Sequence, residues 1–166
     1  MELWDLYDKN KIVTGKTHER GKIIEDGYYH LVVRVLLKNK DEKYLISKRD
    51  ENRKEYPLLY ECPGGSVLKG ETSLEGATRE TLEEVGVDLS NTIGKLIHTL
   101  ISEKYHVIED TWLFNYDGEI DLSKATTNEV CEVKWMNKDE IKKSFDKGEF
   151  VPTLKYILEI GDKNEL

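Results

Sequence analysis

The segment from Thr72 to Gly86 constrains the fold of this chain most, because both of its ends are marked and its middle concentrates charge. Thr72, followed three residues later by Glu75, is the pattern of a capping box, in which two side chains satisfy free backbone N–H groups at a helix start. Gly86 stands where helices commonly end in the left-handed conformation. The pattern therefore predicts a helix over Ser73–Val85.

Three glutamates of this helix, Glu80, Glu83 and Glu84, stand at i, i+3 and i+4 and are neighbours on its surface. Like charges at that spacing repel unless something compensates them. One interpretation is a solvated acidic face, which is common in a chain with 33 acidic residues. The other is a site for a hard divalent cation, because Mg²⁺ and Mn²⁺ prefer oxygen ligands such as carboxylates and carbonyls.

The other positions of the helix supply a face for the core. Its members recur at helical spacing and are apolar or small. They are Leu74, Ala77, Thr78, Thr81, Leu82 and Val85. We expect this stripe to be buried, with the three glutamates on another face.

Strands predominate in the rest of the chain. Runs of β-branched, aromatic and alternating apolar residues between turn residues predict strands. These runs are Glu2–Tyr7, Ile12–Gly15, Tyr28–Leu37, Lys43–Lys48, Ile93–Ser102, Val107–Tyr116 and Val130–Met136. Two further helices are predicted at 138–146 and 153–160. Hairpins outnumber β-α-β units in this order, so we expect a mixed sheet with helices on its faces.

The bulk properties narrow the class of protein. A length of 166 residues fits one domain, with residues 1–27 as an N-terminal hairpin and loop whose edge strand offers a surface for a homodimer. The net charge of −8 disfavours a nucleic-acid polymer as partner, although a divalent cation can join an acidic protein to phosphate. Neither a signal-peptide pattern nor an apolar run of membrane length is found, so we expect a cytoplasmic protein without a membrane partner.

The residues ahead of the helix extend its pattern. After Gly65 and five intervening residues comes Glu71, and after seven more come Arg79, Glu80, Glu83, Glu84 and Gly86. This spacing resembles the Nudix box, Gly-x5-Glu-x7-Arg-Glu-x-x-Glu-Glu-x-Gly, at every charged and glycine position, and it occupies residues 65–87. The one departure is Thr81, where an aliphatic residue is usual in that family.

The resemblance implies the Nudix fold, an α/β/α sandwich around a mixed β-sheet, with the loop–helix–loop of the box beside the sheet. A single domain over residues 1–166 would then form the whole chain. It also implies a Mg²⁺-dependent pyrophosphohydrolase, with Mn²⁺ able to substitute. Its substrate would be a small phosphorylated metabolite with a diphosphate linkage, such as a nucleoside diphosphate linked to another moiety.

Roles for individual residues follow from the same resemblance. Glu80, Glu83 and Glu84 would bind the metal, with the backbone carbonyl of Gly65, or of its neighbour Gly64, as a further ligand. A second pair of residues, Glu71 and Arg79, would hold the loop against the helix and orient the metal-binding carboxylates.

The general base and the phosphate-binding residues stay open. Glu84 is a candidate base inside the box, and Glu129 and Glu103 are candidates outside it, although loop carboxylates without a motif are common on protein surfaces. The substrate phosphates are expected to meet Arg34 and Arg49, because arginine makes bidentate contacts with phosphate oxygens. Lys48 and Arg53 are further cations, and for Arg53 a solvated position is expected.

Two alternatives remain at this point. The N-terminal residues and the run Tyr29–Leu37 also resemble the Nudix branch of isopentenyl-diphosphate isomerase, which moves protons with a cysteine and a glutamate and has a histidine-rich metal site. Here Cys62 precedes Pro-Gly-Gly-Ser without a nearby histidine, and the complete box favours hydrolysis. A non-catalytic Nudix binding module is the second alternative, and the retention of every box carboxylate argues against it.

Overall fold

The secondary structure follows from a computed structural model, which describes residues 1–163, with side chains to residue 160. Within residues 1–163 the chain forms nine β-strands and three α-helices. In chain order they are β1 (Leu3–Tyr7), β2 (Val13–Glu19), β3 (His30–Lys38), β4 (Tyr44–Arg49), β5 (Tyr60–Glu61), β6 (Gly64–Ser66), α1 (Ser73–Val85), β7 (Gly94–Ser102), β8 (Val107–Asn115), β9 (Val130–Met136), α2 (Lys138–Asp146) and α3 (Ile157–Lys163). Helices α1 and α2 have the predicted bounds. The predicted C-terminal helix begins later, because Pro152–Leu154 forms a separate 3-10 turn before it.

Seven of these strands form one mixed sheet in the described part of the chain. Its order is β5-β4-β3-β8-β7, with β6 also paired to β3 and β9 to β4. Strand β3 runs parallel to β8 from His30 opposite Val107 to Lys38 opposite Asn115, and the other pairs are antiparallel. The predicted mixed sheet is therefore confirmed.

Strands β3 and β4 pair with each other only at Lys38 and Tyr44. Beyond that point the short strands β5 and β6 lie between them, β5 on β4 and β6 on β3. Pro63 lies between these two short strands in the sequence, and its carbonyl accepts a hydrogen bond from the backbone N–H of Val35 in β3 at 2.8 Å. Residues 60–66 thus cross from one half of the sheet to the other. They bring Glu61 close enough to Glu84 of the box for their charges to interact.

The core has a layer on each face of the sheet. Alternate residues of β3 separate the two layers, because successive side chains of a strand point to opposite faces. Val33 and Val35 pack with Ala77 and Val85 of α1, whereas Leu36 packs with Ile141 of α2 and Ile157 of α3. The predicted α/β/α sandwich is confirmed. None of the described helices is long and apolar enough to cross a membrane.

The buried face of α1 differs from the predicted stripe. Ala77, Thr81 and Val85 are buried, but Leu74 and Leu82 are 40% and 41% exposed, so their prediction as core residues was wrong. The reason is the close approach of α1 to the residues after β6: a Cβ added to Gly76 would lie 2.8 Å from Val67. Small side chains fill that contact, and the leucines lie on its flanks.

The N-terminal residues form the predicted hairpin, but its second strand extends to Glu19, beyond the predicted end at Gly15. The hairpin is joined to the start of β3 by two backbone hydrogen bonds between Tyr7 and Tyr29, of 2.8 and 2.9 Å. Beside them the rings of Trp4 and His30 stack with centroids 4.2 Å apart. The hairpin is therefore packed against the sheet.

Candidate active site

Helix α1 is fixed at both ends as its sequence predicts. The Thr72 hydroxyl accepts from the Glu75 N–H at 3.2 Å, and the Glu75 carboxylate accepts from the Thr72 N–H at 2.7 Å. Gly86 ends the helix with φ of 73°, and the carbonyl of Glu83 accepts from the Thr126 N–H at 2.9 Å. The loop that leads to β9 is thereby attached to the end of the helix.

Two glycines let the helix and the sheet approach each other. A Cβ on Gly64 would lie 2.1 Å from the carbonyl oxygen of Val33, so only glycine lets β6 lie on β3 at this position. A Cβ on Gly65 would lie 2.5 Å from the carboxylate carbon of Glu80. The glutamate side chain therefore occupies the space that any other residue at position 65 would fill.

Arg79 connects the helix to the preceding loop. Its Nε and Nη2 donate to the two carboxylate oxygens of Glu71 at 2.7 and 3.0 Å, and Nη2 also donates to the Ser66 carbonyl at 2.9 Å. Its Nη1 donates to Glu80 and Glu83 at 3.0 and 3.1 Å. Arg79 and Glu71 therefore bind each other beside Glu80 and Glu83, and their predicted role in orienting metal ligands stays a prediction.

Glu84 is the most deeply buried of the three box glutamates, with 4% of its surface exposed. Its carboxylate accepts a hydrogen bond from the Gly64 N–H at 3.2 Å. Burial, together with the nearby charges of Glu61, Glu80 and Glu129, raises its pKa well above the usual value. The pKa of Glu80 is also raised by burial, although Arg79 opposes the shift. This part of the helix therefore concentrates negative charge where water cannot stabilise it.

Glu61 is a site residue that the sequence analysis missed. It is 4% exposed, and its Oε1 accepts from Nη1 of Arg49 at 2.8 Å. Its Oε2 accepts no hydrogen bond and lies 3.5 Å from Nη1 of Arg34. The position of Glu61 directly before Cys-Pro-Gly-Gly was the available signal, since a carboxylate in a strand next to a glycine turn is unusual.

Arg34 and Arg49 both reach this carboxylate, although they come from different strands. Arg34 also donates from Nε to Glu109 at 3.2 Å, and the hydroxyl of Tyr156 donates to the other oxygen of Glu109. The structure thus brings the two predicted phosphate-binding residues together beside the box. No local pattern indicates Glu109 or Tyr156, because their pairing joins distant segments.

The two candidate bases outside the box differ in their surroundings. Glu129 pairs with Arg53, and its charge contributes to the raised pKa of both Glu80 and Glu84. Glu103 instead accepts a hydrogen bond from the Tyr29 hydroxyl at 2.6 Å, in the turn between β7 and β8. Glu129 is therefore the better placed of the two. The solvated position expected for Arg53 is only partly right, because its side chain is 29% exposed and paired.

The residues that suggested an isomerase lie apart or are chemically unsuited. Cys62 is fully buried in the core between the sheet and α2, and burial raises its pKa to about 12, so it does not readily give up a proton. His18 and His30 both stack on Trp4 at the N-terminal hairpin. They form no histidine site beside Cys62.

The donor set at the box fits a hard divalent cation. Among the side chains that the structure describes, residues 1–160, no three carboxylate, imidazole or thiol groups converge closely enough to enclose an ion, and Arg79 donates to Glu80 and Glu83. Yet Glu84 is buried among other carboxylates, and Glu61 has an oxygen without a hydrogen bond. All of these donors are oxygen atoms, as Mg²⁺ and Mn²⁺ require.

The chain is also similar to known proteins in sequence and in fold. A family model described as NUDIX domain matches residues 28–154. An uncharacterised Nudix hydrolase of Listeria innocua is 37% identical over 92% of this chain and 89% of its own length. An RNA pyrophosphohydrolase of Pelagibacter ubique is 30% identical over 66% of this chain and 77% of its own length. A crystal structure from Deinococcus radiodurans has a TM-score of 0.76, with 98% of each chain covered and 19% identity, which shows a shared fold.

Proposed function

Because this chain belongs to the Nudix hydrolase family, we propose that it uses Mg²⁺ to cleave the diphosphate linkage of a small nucleoside-diphosphate derivative. The observation that carries the proposal is the contact between α1 and the Gly64–Gly65 turn. There, buried Glu84 and the carboxylate of Glu80 lie against backbone that only glycine could supply. Such an arrangement keeps negative charge in place at a cost to the fold, as expected for a binding site.

Glu80, Glu83, Glu84 and the carbonyl of Gly65 would hold the ion. Bound Mg²⁺ supplies charge neutralisation for diphosphate oxygens and lowers the pKa of water. Arg79 stays in position when Glu80 and Glu83 turn to another partner, because its bonds to Glu71 and Ser66 do not involve them. Mn²⁺ has the same preference for oxygen ligands and is expected to substitute.

Arg34 and Arg49 would bind the phosphate oxygens. Both guanidinium groups are held by Glu61, which fixes their direction before a ligand arrives. A preorganised guanidinium loses less freedom on binding than a solvated one, and it can contact two phosphate oxygens at once.

Glu129 is our choice for the residue that accepts the proton of the attacking water. It lies on the segment that the Thr126 contact attaches to the end of α1, so it is held beside the box without being part of it. Arg53 orients its carboxylate. A base at that place takes up a proton while the box carboxylates keep their negative charge.

The class of substrate rests on charge and on one relative. The Pelagibacter ubique relative is named an RNA pyrophosphohydrolase. The net charge of −8 of the present chain disfavours a long polyanion and favours a small molecule that is held at a single site. A nucleoside diphosphate joined to another moiety has both properties.

The experiment is a substrate panel with Mg²⁺, with Mn²⁺ and with chelator. It contains nucleoside diphosphate sugars, dinucleoside polyphosphates, nucleoside triphosphates, a 5′-triphosphorylated oligonucleotide and isopentenyl diphosphate, with products identified by mass spectrometry. We expect a nucleoside monophosphate from one small substrate class, only with metal present. If the folded protein cleaves no phosphoanhydride with either ion, the proposal is wrong.

The same panel tests the alternatives. Cys62→Ala should retain hydrolysis, because the thiol is buried away from the box and its pKa of about 12 keeps it protonated. Isomerisation of isopentenyl diphosphate that Cys62→Ala abolishes would instead support the isomerase. Binding of Mg²⁺ and nucleotide without any turnover would identify a binding module.

A further inference from the structure

The N-terminal hairpin, β1 and β2, precedes the residues that match the NUDIX domain, which begin at 28. We propose that this hairpin is a positioning element of the metal site. Asp5 fixes the loop that carries Glu71, and Lys11 fixes the first turn of α1 that follows it. The inference rests on the proposed function, because it concerns the binding of the same divalent ion.

The first part of the argument is a direct attachment of β1 to the box loop. The backbone N–H of Lys69 donates to the carbonyl of Leu3 at 2.8 Å. The next N–H, that of Gly70, donates to Oδ2 of Asp5 at 2.8 Å. Two successive amides of the loop are thus bound by one strand that lies outside the matched domain.

The second part is a buried ion pair at the start of α1. Asp110 of β8 is fully buried, and its Oδ2 lies 2.5 Å from Nζ of Lys11. The same oxygen accepts from the hydroxyl of Ser73, the first residue of α1, at 2.6 Å, and Oδ1 accepts from Thr99 at 2.7 Å. The Trp112 indole N–H donates to the Ser73 hydroxyl at 2.9 Å. Lys11 therefore neutralises the carboxylate that holds the helix start.

These contacts lie on both sides of Glu71. Lys69 and Gly70 precede it, Ser73 follows it, and its own carboxylate holds Nε and Nη2 of Arg79. Arg79 in turn contacts Glu80 and Glu83. A displacement of the loop would move Glu71, and through Arg79 it would change the positions of two proposed metal ligands.

The hairpin is suited to this role because it is itself held firmly. Tyr7 exchanges two backbone hydrogen bonds with Tyr29, and Trp4 stacks on His30. In the turn, the Asp8 carboxylate accepts from the N–H groups of Asn10 and Ile12 at 2.8 and 3.0 Å. The turn therefore presents Lys11 from a fixed backbone, and the positioning depends on two side chains.

The test compares the affinity for Mn²⁺, measured by electron paramagnetic resonance, in Asp5→Ala, Asp5→Asn and Lys11→Met. Asp5→Ala removes the acceptor for Gly70, and we expect about tenfold weaker binding, as for loss of a group that orients metal ligands. Asp5→Asn keeps an acceptor oxygen and should restore most of the affinity. Lys9→Met is the matched control for Lys11→Met, because Lys9 is exposed in the same turn.

Hydrogen exchange of the Lys69 and Gly70 amides gives a second readout that does not depend on activity. We expect faster exchange at both amides in Asp5→Ala, while the interior of β3 keeps its protection. Should the variants unfold at lower temperature yet bind Mn²⁺ with wild-type affinity, the hairpin only stabilises the fold and the inference is overturned, while the proposed function stands. No Mn²⁺ binding by the wild-type protein would overturn the proposed function and this inference with it.

Discussion

Helices α1 and α2 begin in the same way but bury different kinds of side chain. Each starts with a capping box, formed by Thr72 and Glu75 in α1 and by Asn137 and Glu140 in α2. In α2 the apolar Ile141 faces the core, and the exposed side carries most of the charge. In α1, two leucines lie outside and a glutamate lies inside.

The contrast between the two helices lies in what each one buries. A helix whose apolar residues face the core, as in α2, follows the rule for a structural helix. A helix that buries Glu84 and exposes Leu74 and Leu82 gives up stability, and proteins break this rule chiefly at functional sites. The departure from amphipathic order, more than the number of acidic residues, is therefore our reason for proposing α1 as the functional helix.

The substitution Glu84→Gln should separate the two helices most clearly. We expect kcat/KM to fall by about 100-fold or more, since the variant loses a metal ligand. At pH values above the raised pKa of Glu84, the thermal midpoint of the metal-free protein should rise, because the neutral amide relieves a buried charge and still accepts from Gly64. Asp139→Asn, which neutralises an exposed carboxylate on α2, is the matched control and should change neither quantity. A wild-type kcat/KM in Glu84→Gln would remove α1 from the site.

A smaller effect is expected for Arg79→Lys. Lysine keeps the positive charge but cannot hold both oxygens of Glu71 and the Ser66 carbonyl together. We expect kcat to fall by roughly tenfold and Mn²⁺ affinity to weaken. The control is Lys143→Arg, the reverse exchange between the same two cations on α2, and its steady-state kinetics should match those of the wild type. If Arg79→Lys also had the kinetics of the wild type, the fork geometry of the Arg79 guanidinium would be unimportant.

The pH dependence should also distinguish the buried from the exposed glutamates. Because the pKa of Glu84 is raised, the folded metal-free protein holds that proton at pH values where an unfolded chain has lost it. The free energy of unfolding therefore falls as pH rises from the usual glutamate pKa of about 4.3 to the raised pKa of the folded protein. Below the raised pKa, a metal ion must displace the proton in order to bind Glu84.

Two measurements follow from that sign. Mn²⁺ affinity should weaken by up to about tenfold for each pH unit below the raised pKa. In Glu84→Gln the thermal midpoint of the metal-free protein should lose the part of its pH dependence that lies between the two pKa values. Glu75 provides the contrast, because hydrogen bonds from Thr72 lower its pKa. An unchanged pH profile in Glu84→Gln would assign the dependence to other groups.

The smallest effect concerns what the two helices share. Thr72→Ala and Asn137→Ala each remove one capping side chain, so each should lower the free energy of unfolding by about 1 kcal/mol. Urea unfolding measures both. Only Thr72→Ala should also affect Mn²⁺ binding, because Thr72 adjoins Glu71. Loss of Mn²⁺ affinity in Asn137→Ala as well would mean that general stability, rather than the site, determines binding.

Local patterns in the sequence were sufficient for the box and for most of the strands. The capping box, the terminal Gly86 and the spacing of the glutamates are all local signals, and they give the bounds of α1. The same holds for α2 and β9. What was predicted wrongly, the burial of Leu74 and Leu82, depends on how closely the helix approaches the sheet, and helical periodicity carries no information on that distance.

The rest of the site could not be predicted, because it is made by contacts between distant segments. Glu61 acquires its role from the passage of residues 60–66 between β3 and β4. Asp110 pairs with Lys11, almost a hundred residues earlier in the chain. In each case the residue type is ordinary and only the fold gives it a partner.

The passage of residues 60–66 between the two halves of the sheet restricts how the length of this segment can change in evolution. Pairing on both sides sets the spacing from Glu61 to Gly65, so an insertion there would move the carboxylate away from the helix. The connection at 50–59 carries no such double pairing, and surface loops tolerate changes in length. Selection could therefore vary the length of that connection while Glu61 and the Nudix box kept their relative positions.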